Sequence, residues 1–207
     1  AAAAGQQKGG GMSLLIMMAL IFLVMWLFMV RPQKKQQKEL DDFRKALKKG
    51  DKIALCARNM SNWAVAYLAT MTYGAVVVPL LHEFKPSSIH HLVNHSDSSF
   101  MFVGDVIWEN LQPSEMPGIE ACITLNNFQP AYARTEEIAG VKAKVDEIFA
   151  QRYPNFGPDD IKYYEDQPEE LAVINYTSGT SGFSKGVMIP YRALYANIMF
   201  AHLTAEP

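Results

Sequence analysis

The rhythm of apolar and polar positions changes sharply along this chain. From Met12 to Val30 no residue is charged, and Ser13 alone is polar among Leu, Ile, Met, Phe and Val. A helix rises 1.5 Å per residue, so a run of this length reaches roughly 28 Å, enough for a bilayer core. The run predicts a transmembrane helix over 12–30, behind a flexible tail at 1–11 and ahead of a basic juxtamembrane helix at 31–49. From Gly50 the pattern shortens. Ile53–Cys56 predicts a strand, Ser61 an N-cap, Asn62–Tyr73 a helix and Gly74 its C-cap. Ala75–Val78 is a continuous apolar strand that Pro79 ends. Strand, helix and strand with short connections make a βαβ unit, with parallel strands and a right-handed crossover. Further on, a helix is predicted after Pro86, another over Thr135–Gln151 with a solvated amphipathic face, and buried strands at Leu171–Asn175 and Val187–Ile189. A last helix runs over Tyr191–His202 behind Pro190, with Leu194 and Ile198 turned inward.

Charge adds orientation. Arg31, Lys34, Lys35 and Lys38 follow the apolar span, whereas a cleaved signal peptide carries its charges ahead of the apolar run. The positive-inside bias then leaves the N-terminus outside and the rest of the chain in the cytoplasm. The net charge of -2 lacks the basic footprint of a nucleic-acid binder. Cys56 and Cys122 share no motif spacing and read as buried cytoplasmic thiols.

Between the last two strands lies Tyr176-Thr177-Ser178-Gly179-Thr180-Ser181-Gly182-Phe183-Ser184-Lys185-Gly186-Val187. Such a loop turns sharply, because glycine reaches positive φ without steric cost. It offers successive backbone N–H groups, several hydroxyls and one ammonium, the groups that receive a polyphosphate. The Walker A pattern fails, since Lys185 is followed by Gly186 and no glycine directly precedes it. The run resembles the phosphate loop of the adenylate-forming enzymes, Tyr-Thr-Ser-Gly-Thr-Thr/Ser-Gly-x-Pro-Lys-Gly-Val, with Ser184 in place of the proline. Gly50-Asp51-Lys52-Ile53-Ala54-Leu55, Asn59, Trp63 and Gly74–Leu80 resemble the first block of the same enzymes. His82-Glu83-Phe84-Lys85-Pro86, Val103-Gly104-Asp105 and Tyr163-Tyr164 are most similar to bacterial long-chain fatty acid–CoA ligases.

The N-terminal quarter resembles a different family. Gly9-Gly10-Gly11-Met12, the apolar span, Arg31-Pro32-Gln33-Lys34-Lys35-Gln36-Gln37-Lys38-Glu39 and Lys48-Lys49-Gly50-Asp51 are similar to YajC, an accessory subunit of the bacterial Sec translocase. That family continues into a small β-rich cytoplasmic domain, which the residues after Asp51 do not match. Residues 1–52 and 50–207 therefore read as a chimera joined at Lys49-Gly50-Asp51-Lys52. The expected fold is one transmembrane helix followed by an incomplete α/β domain with a mainly parallel sheet, in the bacterial inner membrane.

The ligase resemblance implies ATP, Mg2+ and coenzyme A as cofactors or co-substrates and a fatty acid as substrate. Thr177, Ser178, Thr180, Ser181 and the N–H groups of Gly179 and Gly182 would bind the β- and γ-phosphates, with Lys185 adding charge. It also implies that the adenine pocket, the ribose aspartate, the magnesium glutamate and a mobile catalytic lysine lie beyond Pro207. No catalytic residue is assigned within the chain, and an inactive fragment is expected. The YajC resemblance implies SecD and SecF as partners, beside the lipid bilayer. His91 and His95 stand at a spacing that can hold zinc, but no acidic or cysteine partner is suitably placed and no metal site is assigned. Asp159, Asp160, Glu165, Asp166, Glu169 and Glu170 read as surface charge.

Overall fold

A computed structural model describes residues 48–177 and 185–205. The predicted span Met12–Val30 and loop residues 178–184 lie outside them. All described residues belong to one compact unit that begins at Ala46. Among them, no helix is long and apolar enough to cross a membrane.

Among the described residues, seven strands form one sheet in the order β5-β4-β3-β1-β2-β6-β7. They are β1 (Lys52–Cys56), β2 (Val76–Pro79), β3 (Ser98–Val103), β4 (Ala121–Thr124), β5 (Pro130–Ala133), β6 (Leu171–Thr177) and β7 (Lys185–Pro190). The pairs β1/β2, β1/β3, β2/β6 and β3/β4 are parallel. Only the outermost pairs, β4/β5 and β6/β7, are antiparallel. The mainly parallel α/β fold expected from the sequence is therefore present. Central strands of such a sheet are covered on both faces, which is why they read as unbroken apolar runs. Ala54, Cys56, Val76, Val78, Ile174 and Tyr176 enter one core with Ile89, Leu92 and Val93. Leu55, Val77 and Val173 face the other, with Ala66 and the flanks of Trp63 and Tyr67.

Helix α1 (Ser61–Tyr73) connects β1 to β2, and α2 (Pro86–His95) connects β2 to β3. Ser61 does not cap α1. The N-cap is Met60, in extended conformation and without a side-chain cap bond. Met60 packs on the core beside Leu55 and Val77, which fixes the helix start one residue earlier than the hydroxyl suggested. Gly74 does close α1, at φ 86°, with its N–H on the carbonyls of Met71 and Thr70. A short helix α3 (Asp105–Trp108) follows β3. Helix α4 (Glu136–Arg152) is entered through Thr135, whose side chain accepts from the N–H of Ile138 at 3.3 Å.

Two expectations near the C-terminus fail for one reason. Strand β7 is not buried: Val187 is 47% and Met188 71% exposed. Helix α5 (Tyr191–Ala205) is longer than expected, and Leu194 packs on the core while Ile198 is 66% exposed. β7 is an edge strand, so only the first turn of α5 finds sheet to cover.

The entry into the sheet is firmly tied. Gly50, at φ 82°, donates its N–H to the Gly74 carbonyl at 2.8 Å, and Val76 donates to Asp51 at 2.8 Å. The Lys49 ammonium lies 4.5 Å from the centre of the Tyr164 ring. That ring covers Gly74 so closely that a Cβ there would meet Tyr164 Cγ at 2.8 Å.

Candidate functional site

Because β6 runs parallel to β2, Thr177 ends at the carboxyl edge of the sheet, the edge where open α/β sheets bind ligands. The β6/β7 register continues to that end. Asn175 faces Val187, Tyr176 faces Gly186 and Thr177 faces Lys185. The glycine-rich segment is thus closed at its base by a paired hydroxyl residue and a lysine, both exposed. Ser178, Gly179, Thr180, Ser181 and Gly182, the other residues assigned to this site from the sequence, lie outside the described residues.

The base of the loop is held from below by Tyr176. It is 6% exposed and enters the core shared by β1, β2 and α2. Its hydroxyl lies 2.7 Å from Nδ1 of His95 at the end of α2, with the rings edge to face at 5.7 Å. Burial pushes the Tyr176 phenol above its usual range; the Ser96 hydroxyl pulls it back and Asp97 pushes it further up. Across the strand, a Cβ on Gly186 would stand 3.1 Å from Ile174 Cγ2 and 3.2 Å from Tyr176 Cε1. Glycine is needed here for close approach. His95, weighed as a metal ligand in the sequence, is instead the partner of Tyr176. His90 accepts a hydrogen bond from the Gln112 N–H at 3.0 Å. Among the described residues, no group of three or more His, Cys, Asp or Glu could hold a metal ion.

The acidic approach to the loop is occupied locally. Asp160 accepts from the Gly157 N–H at 2.9 Å, and Glu169 pairs with Arg192 at 3.0 Å. Glu170 accepts from the Tyr164 hydroxyl. That bond, helped by burial, pushes the Tyr164 phenol up to about 12. The same bond and the Gln167 N–H hold the Glu170 carboxyl below its usual range, against the opposing effect of burial.

The sequence reasoning missed a cleft of about 460 Å³ at the same carboxyl edge. Arg58 and Met60 come to it from the end of β1, His82 and Phe84 from β2, Asp105 from β3 and Asn126 from β4. The chain passes from β2 across β1 to β3, so β1 and β3 flank the topological switch point. Asp105 Oδ1 is buried there without a hydrogen-bond partner. The available signal was positional: polar residues directly after four successive apolar strands.

Comparison with known proteins fits this geometry. A family model described as "AMP-binding enzyme" matches residues 43–206. The chain belongs to the AMP-binding enzymes. A second model, "Preprotein translocase subunit" YajC, matches residues 15–58, so the two overlap across the joint. This AMP-binding chain is 28% identical over 151 residues to human long-chain-fatty-acid–CoA ligase 6, covering 70% of this chain and 21% of that protein. It is 27% identical over 152 residues to rat long-chain-fatty-acid–CoA ligase 5, with 70% and 22% covered. It spans about one fifth of the length of these curated relatives. The long-chain-fatty-acid–CoA ligase FadD1 of Archaeoglobus fulgidus superposes with a TM-score of 0.58 at 25% identity, over 79% of this chain and 29% of that one. MatB of Rhodopseudomonas palustris has the same fold, with a TM-score of 0.56 at 17% identity over 79% and 29%.

Proposed function

We propose that this chain carries the nucleotide-phosphate-binding part of an ATP-dependent long-chain fatty acid–CoA ligase. The observation that carries the reading is the Thr177/Lys185 pair, which sets a hydroxyl and a cation side by side at the carboxyl edge of the parallel sheet. Thr177, Ser178, Thr180 and Ser181 donate to the β- and γ-phosphates of ATP, with the N–H groups of Gly179 and Gly182. Lys185 neutralises charge that builds on the leaving pyrophosphate, a preorganised electrostatic effect. The residues present suit an anion: exposed donors, a cation and a glycine that lets the strands close up. Magnesium, which the ligase reading implies, would enter with the nucleotide and offset its phosphate charge. Fatty acid and coenzyme A are the other substrates that the ligase reading implies.

In this reading Met12–Val30 anchors the protein in the inner membrane and 31–49 links it to the domain at 50–207. The 207 residues by themselves bind nucleotide phosphate but form no acyl-adenylate. The test is MgATP binding to the full chain in detergent micelles. Wild type should bind, and Lys185→Ala should weaken binding at least tenfold; equal affinities would overturn the phosphate assignment.

A second reading is favoured by the match over residues 15–58. Here the N-terminal segment serves as a Sec translocase accessory subunit and the remainder is an unrelated extension. Affinity capture of the detergent-solubilised chain separates the two, since recovery of SecD and SecF belongs only to the second. Amplification of genomic DNA across the Lys49–Ile53 codons tests whether the joint exists in one gene.

A further inference from the structure

Tyr176 is the last buried residue of β6, one step before Thr177. Its ring stands between two elements that are far apart in sequence. On one side is His95, the final residue of α2, with Nδ1 at 2.7 Å from the phenol oxygen. On the other is Gly186, its cross-strand partner, whose missing Cβ would stand 3.2 Å from Cε1 of the ring. The ring therefore acts as a wedge whose position fixes how β7 begins. The next pair along both strands is Thr177 and Lys185.

His95 is itself anchored. Ile89, Leu92 and Val93 of the same helix are each 1% exposed, so the backbone carrying the imidazole is fixed against the sheet. His91 is its neighbour one turn back, with ring centroids 5.9 Å apart. A plain alternative is that a core tyrosine has found the nearest polar partner, with no bearing on the loop. The Gly186 contact argues against it. The space that the hydrogen bond makes the ring occupy is the space against which the strand carrying Lys185 closes.

Resting on the phosphate reading of Thr177 and Lys185, we infer that His95 is a positioning residue. Through its hydrogen bond to Tyr176, it sets where Thr177 and Lys185 stand toward a bound polyphosphate. His95 does not touch the ligand, and its charge is not what acts.

Calorimetric titration of the full chain in detergent micelles with sodium tripolyphosphate tests this, with thermal midpoints recorded for every variant. Wild type binds and Lys185→Ala loses binding. His95→Leu and Tyr176→Phe each weaken affinity by about tenfold, the scale of one lost hydrogen bond. The double variant is no weaker than either single one, because both remove the same bond. His95→Asn, which keeps a polar atom near the place of Nδ1, recovers affinity to within about threefold of wild type. Additive losses, or a loss in His95→Leu without one in Tyr176→Phe, would mean that the imidazole acts by its own charge and would overturn the inference. It is equally overturned if the His95 and Tyr176 variants bind as wild type while Lys185→Ala does not, or if midpoints fall with affinity unchanged. No binding by wild type, or unaltered binding by Lys185→Ala, would remove the phosphate reading and this inference with it.

Discussion

Gly186 shows how a single missing methyl group can decide local geometry. Its Cβ would stand 3.1 Å from Ile174 and 3.2 Å from Tyr176, contacts tighter than packed side chains ordinarily make. Gly186→Ala should cost about 1–3 kcal/mol, the usual scale of overpacking, read as a lower urea midpoint at unchanged slope. A midpoint equal to wild type would mean that β7 slides outward freely. The sequence announced this glycine as part of the loop pattern that the phosphate reading rests on. It did not announce that this glycine faces a tyrosine, because cross-strand register is absent from a linear pattern. Nor did it pair His95 with Tyr176: the two are brought together by the β2/β6 crossover and by α2, across 81 positions. Asp105 was quoted only as part of a family string, and its buried, unpartnered oxygen depends on how β3 ends beside β1.

At the level of elements, strands in the middle of the sheet were easy to read and those at its margin were not. β1 and β2 bury nearly every side chain on both faces, so continuous apolar runs identified them. β7 has an equally apolar sequence but sits at an edge, and apolarity alone does not distinguish centre from margin. The same gap accounts for Ile198, whose helical spacing was right but whose partner surface ends with β7. Cys56 in β1 and Cys122 in β4 were legible as buried thiols, and the structure gives this a chemical consequence. Burial pushes both thiols up to about 12, so each stays protonated until well above neutral pH. Thiolate is the nucleophile. Neither cysteine should react with iodoacetamide at pH 8 in the folded chain, and both should react once urea unfolds it. Labelling of either in the folded state would show that its strand opens locally. The α1 terminus makes a stricter demand. Gly74 combines a left-handed backbone with a Tyr164 ring at 2.8 Å from where a Cβ would be. Gly74→Ala should therefore destabilise by more than Gly186→Ala, since backbone strain adds to the clash. The reverse order in urea would mean that Tyr164 swings away without loss.

For the whole molecule, coverage governs what chemistry to expect. The chain spans 21% of the human ligase it resembles and 29% of the archaeal one. A phosphate loop can supply a few kcal/mol of transition-state stabilisation, but holding reactants in line is worth roughly 7–11 kcal/mol. Pyrophosphate release from ATP and palmitate should remain at background for these 207 residues. Palmitate-dependent release that Lys185→Ala abolishes would defeat this expectation. The mainly parallel sheet was legible because a strand–helix–strand rhythm leaves few topologies open. The chimeric character was legible too, from Arg31-Pro32-Gln33 on one side and the glycine-rich run on the other. The joint was read at Lys49-Gly50-Asp51-Lys52, residues that suit both families, and the two family matches overlap across it. In the structure the Gly50 N–H donates to the Gly74 carbonyl and the Asp51 carbonyl accepts from the Val76 N–H, at the mouth of the central strand pair. Ancestry and architecture thus divide this chain at different places. A cut at residue 58, where the translocase-like match ends, would carry away β1, the strand about which the sheet is arranged. A cut before Ala46 would leave it intact. The shorter polypeptide starting at 59 should give no cooperative unfolding transition, whereas one starting at 46 should. The seam between the two family matches is, for the folded domain, its keystone: both matches run through the one strand about which the sheet is arranged.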